Sequence, residues 1–446
     1  MSAAPVAGIE PSPGRIGPLS TAVRLGCLFG PAVFGVTAAA VALPQVARAL
    51  NAGPAQVAWV LTAHALALGV GTAVFGRLAD SRGTRTTLLI ASLTLVAGAL
   101  LCLVAPTLGA LVAGRLLLAA GSGGTAAVAA ALLAGVDAGE RLRVLARYGV
   151  VMALFASAAT LLGGMVTAWL SWRVTVVLPA LSILAVPFCL RPAVVRAGSH
   201  RPVDVTGAAA LTVTVSTVIV LIQARTLKLD GPVVLALAVM LVLAAAALAG
   251  WVARRPDGFV PRQVVGDPAI RIAAATGVGV FGALFAAMYV IPQILAAPYG
   301  WSVLTIGVAL LPGAAIGAVL SRRAGRLPGR GGRLLLAGTA LAAAVAMIVT
   351  ATGWGGPWPA VLAASLSLAA FALTQVVITG EVSARLPLPL RGAGMGLLNL
   401  TFFVGGGVGS AIAGALSESM PLHRTLLVVA LFPLAAALIA VTRRRE

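Results

Sequence analysis

Fourteen apolar runs of about twenty residues each, joined by short polar links, leave this chain few ways to fold. They cover approximately 23–43, 56–76, 86–106, 108–135, 147–168, 173–190, 205–225, 232–252, 269–292, 303–321, 333–353, 359–380, 394–416 and 424–441. Each has the length a helix needs to cross the hydrocarbon core of a bilayer. In that core every backbone N–H and C=O must be satisfied internally, so such runs are helices and not open strands. The chain is 60% hydrophobic and 9% charged, with a mean hydropathy of +1.06. A soluble domain carries about 25% charged residues. The expected fold class is an all-α integral membrane protein.

The formal net charge is +20, which in a soluble chain would point to nucleic acid. Here the arginines sit in the short links between spans, so no nucleic-acid partner is expected. With the N-terminus placed inside, 25 of the 31 basic residues fall on the cytoplasmic side. Five (Arg48, Arg173, Arg225, Lys228 and Arg424) fall outside, and Arg115 lies within a span. That bias follows the positive-inside rule and puts both termini in the cytoplasm. The Ala- and Gly-rich, lysine-poor composition points to a GC-rich bacterial gene and so to a multi-pass protein of the bacterial cell (inner) membrane. The first apolar run is long and lacks a nearby cleavage pattern, so it is expected to stay as a helix rather than leave as a signal. Cys27, Cys102 and Cys189 fall in apolar runs with no metal-ligand spacing. No Walker motif, metal cluster or nucleophile constellation is present in the sequence, so neither a cofactor nor enzyme activity is expected.

The chain repeats itself. Gly76-Arg77-Leu78 recurs as Gly325-Arg326-Leu327, and Arg141-Leu142-Arg143 is echoed by Leu390-Arg391, both about 248 residues apart. Two six-helix bundles flanking an inserted pair are therefore expected. The proposed division is a tail at 1–22, a first bundle at 23–190, the inserted pair with its flanking loops at 191–268, a second bundle at 269–441 and a tail at 442–446. Halves related in this way are typical of secondary transporters.

The link Gly76-Arg77-Leu78-Ala79-Asp80-Ser81-Arg82-Gly83-Thr84-Arg85 is read as a tight charged loop between the second and third spans. It resembles the G-x-L-A-D-x-x-G-x-R loop of the major facilitator superfamily, a large family of secondary transporters. The chain looks like a member of that family's fourteen-helix drug:proton antiporter branch. A carboxylate at Asp80 can dock on the N-terminus of a neighbouring helix; the resemblance implies that this helix is the thirteenth, beginning near Gly392, and that the contact shuts the cytoplasmic side. Arg82 and Arg85, with Gly76 and Gly83, would complete the gate. The alternative is a solvated turn that only sets topology. The step Ser171-Trp172-Arg173 also matches the family.

Within the spans, Arg115 in Gly114-Arg115-Leu116 through Gly121 resembles the family's helix-4 motif, whose arginine is linked to proton transfer. A buried charge is costly and marks a functional site by default, although an arginine can also snorkel to the interface. His64 titrates near neutrality and lies at similar depth; it is either a second coupling candidate or a packed histidine. Gly163-Gly164 matches the end of the antiporters' helix-5 element without its Gly-Pro, and serves as a hinge or as close packing. The branch usually has an acid where Gly35 stands and an asparagine where Ala40 stands.

Phe281, Phe285 and Tyr289 recur every four residues and so share a helix face. With Met288, Gln293, Gln375 and Asn399 they can line an apolar cavity for a lipophilic substrate, or simply pack helices. The resemblance implies a monomeric exporter of a small, largely apolar organic compound, driven by protons. A facilitator of the same fold is the alternative; a membrane enzyme or receptor lacks any supporting constellation.

Overall fold

The computed structural model describes residues 18–136, 138–194, 198–199, 202–327 and 330–442. Of the expected tails, residues 1–17 and 443–446 lie outside that set, as do Arg196, Arg201 and the Pro328-Gly329 step of the second loop. Among the described residues there is no strand. Among the described residues thirteen helices are long and apolar enough to cross a membrane. They are α1 (Leu19–Ala49), α2 (Ala55–Arg82), α3 (Thr84–Val104), α4 (Leu108–Ala134), α5 (Arg147–Trp169), α7 (Val205–Ile222), α8 (Gly231–Arg254), α9 (Pro268–Ala296), α10 (Val303–Ala324), α11 (Gly331–Thr352), α12 (Trp358–Arg385), α13 (Leu390–Leu416) and α14 (Leu422–Thr442). The shorter apolar segment Leu178–Arg191 is α6.

Three segments depart from the sequence expectation. The sixth span is not one α-helix: Trp172–Val176 is α-helical, Leu178–Ala185 is a 3-10 helix and Val186–Val194 is α-helical again. Pro179 and Pro187 each lack the N–H that an uninterrupted ladder needs. α1 likewise starts inside the expected tail and breaks into a 3-10 turn over Gly30–Gly35 before resuming at Thr37. The third departure concerns the charged link. It is not a loop but the last turn of α2, and helix resumes at Thr84. Only Gly83 leaves the helical path, with φ +86°. A side chain is strained in that region. Gly83→Ala should therefore cost about 1–3 kcal/mol, read as a lower Tm of the purified protein.

Small residues set the packing. In α4, a Cβ on Gly123 would lie 2.5 Å from the Thr72 nitrogen and 2.6 Å from the Leu68 oxygen of α2. One on Gly121 would lie 2.5 Å from the Leu95 nitrogen of α3. Backbones this close are the usual way membrane helices associate, since lipid offers no hydrophobic drive between them. α9 and α13 pack in the same fashion, Gly405 against Val278 and Gly409 against Gly282.

Two seams join helices of the earlier part of the chain to helices of the later part. One joins α2 to α13, where the Thr62 and Ser410 hydroxyls are 2.8 Å apart. The other joins α5 to α10, where Gly164 faces Val303 and Gly307. The second part of α1 also packs on α9. α7 lies against the α2–α13 seam, with Ile219 beside Gly407. α8 packs on α7 and has no fully buried residue.

Candidate functional site: a buried arginine and the signature end of α2

At the break in α1 a chain of three residues converges. Arg115 of α4 is fully buried. Its guanidinium donates to the Val176 oxygen at 2.9 Å, to the Val60 oxygen at 3.3 Å and to the Gly35 oxygen. The planar fork of an arginine can serve three carbonyls at once, and the 3-10 turn frees carbonyls such as that of Gly35 from the α-helical ladder. His64 of α2 is also fully buried, and its ring abuts Gly35, occupying the space a side chain there would need. Neither ring nitrogen has a hydrogen-bond partner among the described residues. The structure thus joins Arg115 and His64 through Gly35, a link no spacing in the sequence announces. The Arg115 side chain has no exposed surface and is turned to these three carbonyls.

At the signature end, Asp80 sits exposed in the last turn of α2, and its carboxylate lies 3.9 Å from where a Cβ of Gly392 would stand in α13. Gly76 is half-buried beside Ala127. Arg82 and Arg85 are exposed. The arginine that reaches across is Arg77, which donates to the Gly258 oxygen at 2.6 Å and to the Phe259 oxygen at 3.2 Å. Sequence reasoning passed over Arg77 because its partners are backbone atoms some 181 residues away.

Gly163 approaches Ala38 of α1, and Gly164 approaches α10. The helix runs unbroken through both. Their geometry is close packing of α5 against α1 and α10. Ser171 caps the sixth segment by accepting from the Arg173 N–H at 3.1 Å, and Arg173 stacks on Trp172 while donating to the Ala105 oxygen.

The α9 aromatics are buried. Phe281 packs its ring on Phe371, Phe402 and Phe403, with centroids 4.9–5.3 Å apart. Phe285 meets Phe403 edge-on, and Met288 is buried near them. The Tyr289 hydroxyl is 2.9 Å from that of Ser417, and Gln293 donates to the Tyr289 oxygen. Gln375 and Asn399 are half-buried, on α12 and α13. A recess of about 350 Å³ lies elsewhere, at the arginine-rich end, lined in part by Asp267, Ile270, Arg385 and Leu386. There Asp267 caps α9 and pairs with Arg385 at 2.5 Å. Burial pushes its carboxyl up, but the Arg385 and Ala269 hydrogen bonds outweigh that and hold it below the usual carboxylate range. Arg333 pairs with Glu381 close by. Among the described residues no group of His, Cys, Asp and Glu could hold a metal.

Comparison with known proteins places this architecture. Two solved transporters of the POT family share the fold. One, in complex with 5-aminolevulinic acid, superposes with a TM-score of 0.66 at 13% identity over 96% of this chain and 97% of that one. The other, an auto-inhibited peptide transporter, gives 0.67 at 16% identity over 96% and 97%. Among curated proteins, an uncharacterized MFS-type transporter of Mycobacterium tuberculosis is 29% identical over 90% of this chain and 60% of its own length. A puromycin resistance protein of Streptomyces alboniger is 31% identical over 69% of this chain and 62% of its own. A lincomycin resistance protein of Streptomyces lincolnensis is 30% identical over 62% and 58%. The chain thus spans about 60% of the length of these relatives. The family model described as Major Facilitator Superfamily matches residues 25–410. With its apolar helices and that match, this chain is a multi-pass membrane protein belonging to the Major Facilitator Superfamily.

Proposed function

We propose that the protein exports a small, largely apolar organic compound in exchange for protons, by alternating access to a site between its halves. The observation that carries the reading is the buried Arg115–His64 pair at the break in α1. Arg115 is a fixed charge deep in the interior, and His64 is a group able to take a proton beside it. A proton on His64 would put two positive charges side by side in a medium that screens poorly. Movement of α1, α2 and α4 against one another relieves that repulsion. Uptake and release of the proton are thereby tied to conformation. The antibiotic-resistance relatives support an organic, drug-like cargo.

In this reading Asp80, facing the start of α13, belongs to the cytoplasmic gate with Gly76, Arg82, Gly83 and Arg85. Both termini lie in the cytoplasm, the halves run over 23–190 and 269–441, and a single copy suffices. Gly163 and Gly164 form the bearing on which α5 turns. Phe281, Phe285, Met288, Tyr289, Gln293, Gln375 and Asn399 line the cargo site once the ring cluster opens. A second reading, a facilitator, is favoured by one feature: Gly35 supplies a carbonyl where a coupling carboxylate would stand.

The test uses purified protein in proteoliposomes, a panel of fluorescent drugs and a pH-sensitive dye. Export should follow an imposed pH gradient; export indifferent to it would favour the facilitator. His64→Gln should lower proton uptake on drug addition about fivefold while drug binding changes little. Unchanged uptake would remove His64 from coupling.

A further inference from the structure

Both links that bracket the inserted pair α7–α8 grip the signature end of α2. Before α7, Ser199 donates its N–H and its hydroxyl to the Asp80 backbone oxygen, at 2.8 and 2.9 Å. The neighbouring Gly198 approaches the backbone of Ser81 and Gly83 so closely that a side chain would not fit. After α8, Arg77 holds the carbonyls of Gly258 and Phe259. The next side chains, Phe259 and Val260, are buried against Ala73 of α2, Ala208 of α7 and Leu400 of α13. They form a wedge across the α2–α13 seam. The wedge is tied to α2 by hydrogen bonds and meets α13 through apolar contact.

One residue positions this wedge. Asp204 lies just before α7. Its Oδ1 accepts from the Gly207 N–H at 2.9 Å, and its Oδ2 accepts from the Phe259 N–H at 2.8 Å. The Trp251 indole N–H of α8 lies 3.0 and 3.1 Å from the two oxygens. Three donors, from the start of α7, the end of α8 and the link beyond it, converge on one carboxylate. A carboxylate accepts at both oxygens, which an amide cannot do. Burial alone would push the carboxyl up; the bonds from Phe259, Gly207 and Trp251, with Arg255 nearby, hold it below the usual carboxylate range.

We propose that Asp204 is a positioning residue of the transport cycle: it sets the Phe259–Val260 wedge across the α2–α13 seam and, through Arg77, makes the inserted pair a strap on the signature end of α2. The inserted pair then governs how readily that end of the seam opens. The proposal rests on the halves moving against each other, not on the cargo or the coupling ion.

The test needs neither cargo nor gradient. Cys27, Cys102 and Cys189 are replaced by alanine, and a reporter Ala73→Cys is placed under the wedge. A second reporter, Ala129→Cys, is buried in the first half away from it. Labelling by N-ethylmaleimide is timed in purified protein in detergent. Asp204→Asn keeps an oxygen for the Gly207 N–H, so the α7 cap survives, but it turns an amide N–H toward that of Phe259. Labelling at position 73 should rise about tenfold or more while position 129 stays slow. Arg77→Gln, which leaves the α7 cap untouched, should raise labelling at 73 in the same direction. Unchanged labelling at 73 in both variants would overturn the proposal. So would equal acceleration at 73 and 129, which is the mark of a general loss of structure. If Asp204→Asn yields no folded protein, the Arg77→Gln result decides alone.

Discussion

Arg115→Ala should abolish transport. The guanidinium is fully buried and satisfies the carbonyls of Gly35, Val60 and Val176, which come from the broken part of α1, from α2 and from the sixth segment. Hydrogen bonds to a charged group contribute about 1.5–3 kcal/mol each, and a buried carbonyl left without a donor costs a similar amount. Losing even two of the three raises the energy of the assembled site by about 3 kcal/mol, which corresponds to at least a hundredfold in rate. The measurement is drug efflux from proteoliposomes, with Tm recorded alongside. Arg115→Lys should be intermediate, because an ammonium keeps the charge but cannot span three carbonyls with a planar fork. Lysine restoring full transport would show that charge alone matters there.

Gly123→Val should prevent the first half from assembling. The added Cβ would fall 2.5 Å from a backbone nitrogen and 2.6 Å from a backbone oxygen of α2. Neither neighbour can rotate away as a side chain would, so the helices themselves must separate. Overpacking a core costs typically about 1–3 kcal/mol, and more where backbone must move. α4 would then lose its register against α2 and the Arg115–Val60 bond with it. The expected result is little folded protein extracted by mild detergent, or a Tm lowered by more than about 10 °C. Gly109→Val is the control, since a Cβ there meets nothing within 4 Å. Equal behaviour of the two variants would show that α4 is not held by its small residues.

The helices were legible because length and hydropathy suffice to define a span in lipid. What the sequence hid was contact. Gly76 and Gly83 look alike as punctuation, yet only Gly83 leaves the helix, because only there does the chain turn. Arg115 and His64 were each visible as isolated costs in an apolar run, but their meeting at Gly35 depends on the 3-10 turn in α1. Phe281 and Phe285 showed the right spacing for a shared face. The spacing could not say that the face meets Phe371, Phe402 and Phe403. Asp204 carried a weak signal, an acid placed just before an apolar run, which reads as a helix cap. Its bonds to Trp251 and Phe259 needed the fold.

α8 and α9 are neighbours in sequence and both apolar enough to span a membrane, yet none of α8 is fully buried while most of α9 is. Selection therefore acts on them through different filters. Along most of α8 the lipid tests only length and apolar character, so leucine, valine and alanine are interchangeable there, and lineages can drift freely. Trp251 is the exception, fixed by its bond to Asp204. Along α9 each side chain is tested by its protein neighbours, and a change of one methyl group is felt. Two adjacent helices of one chain should thus age at different rates, the outer one keeping its hydropathy while losing its spelling.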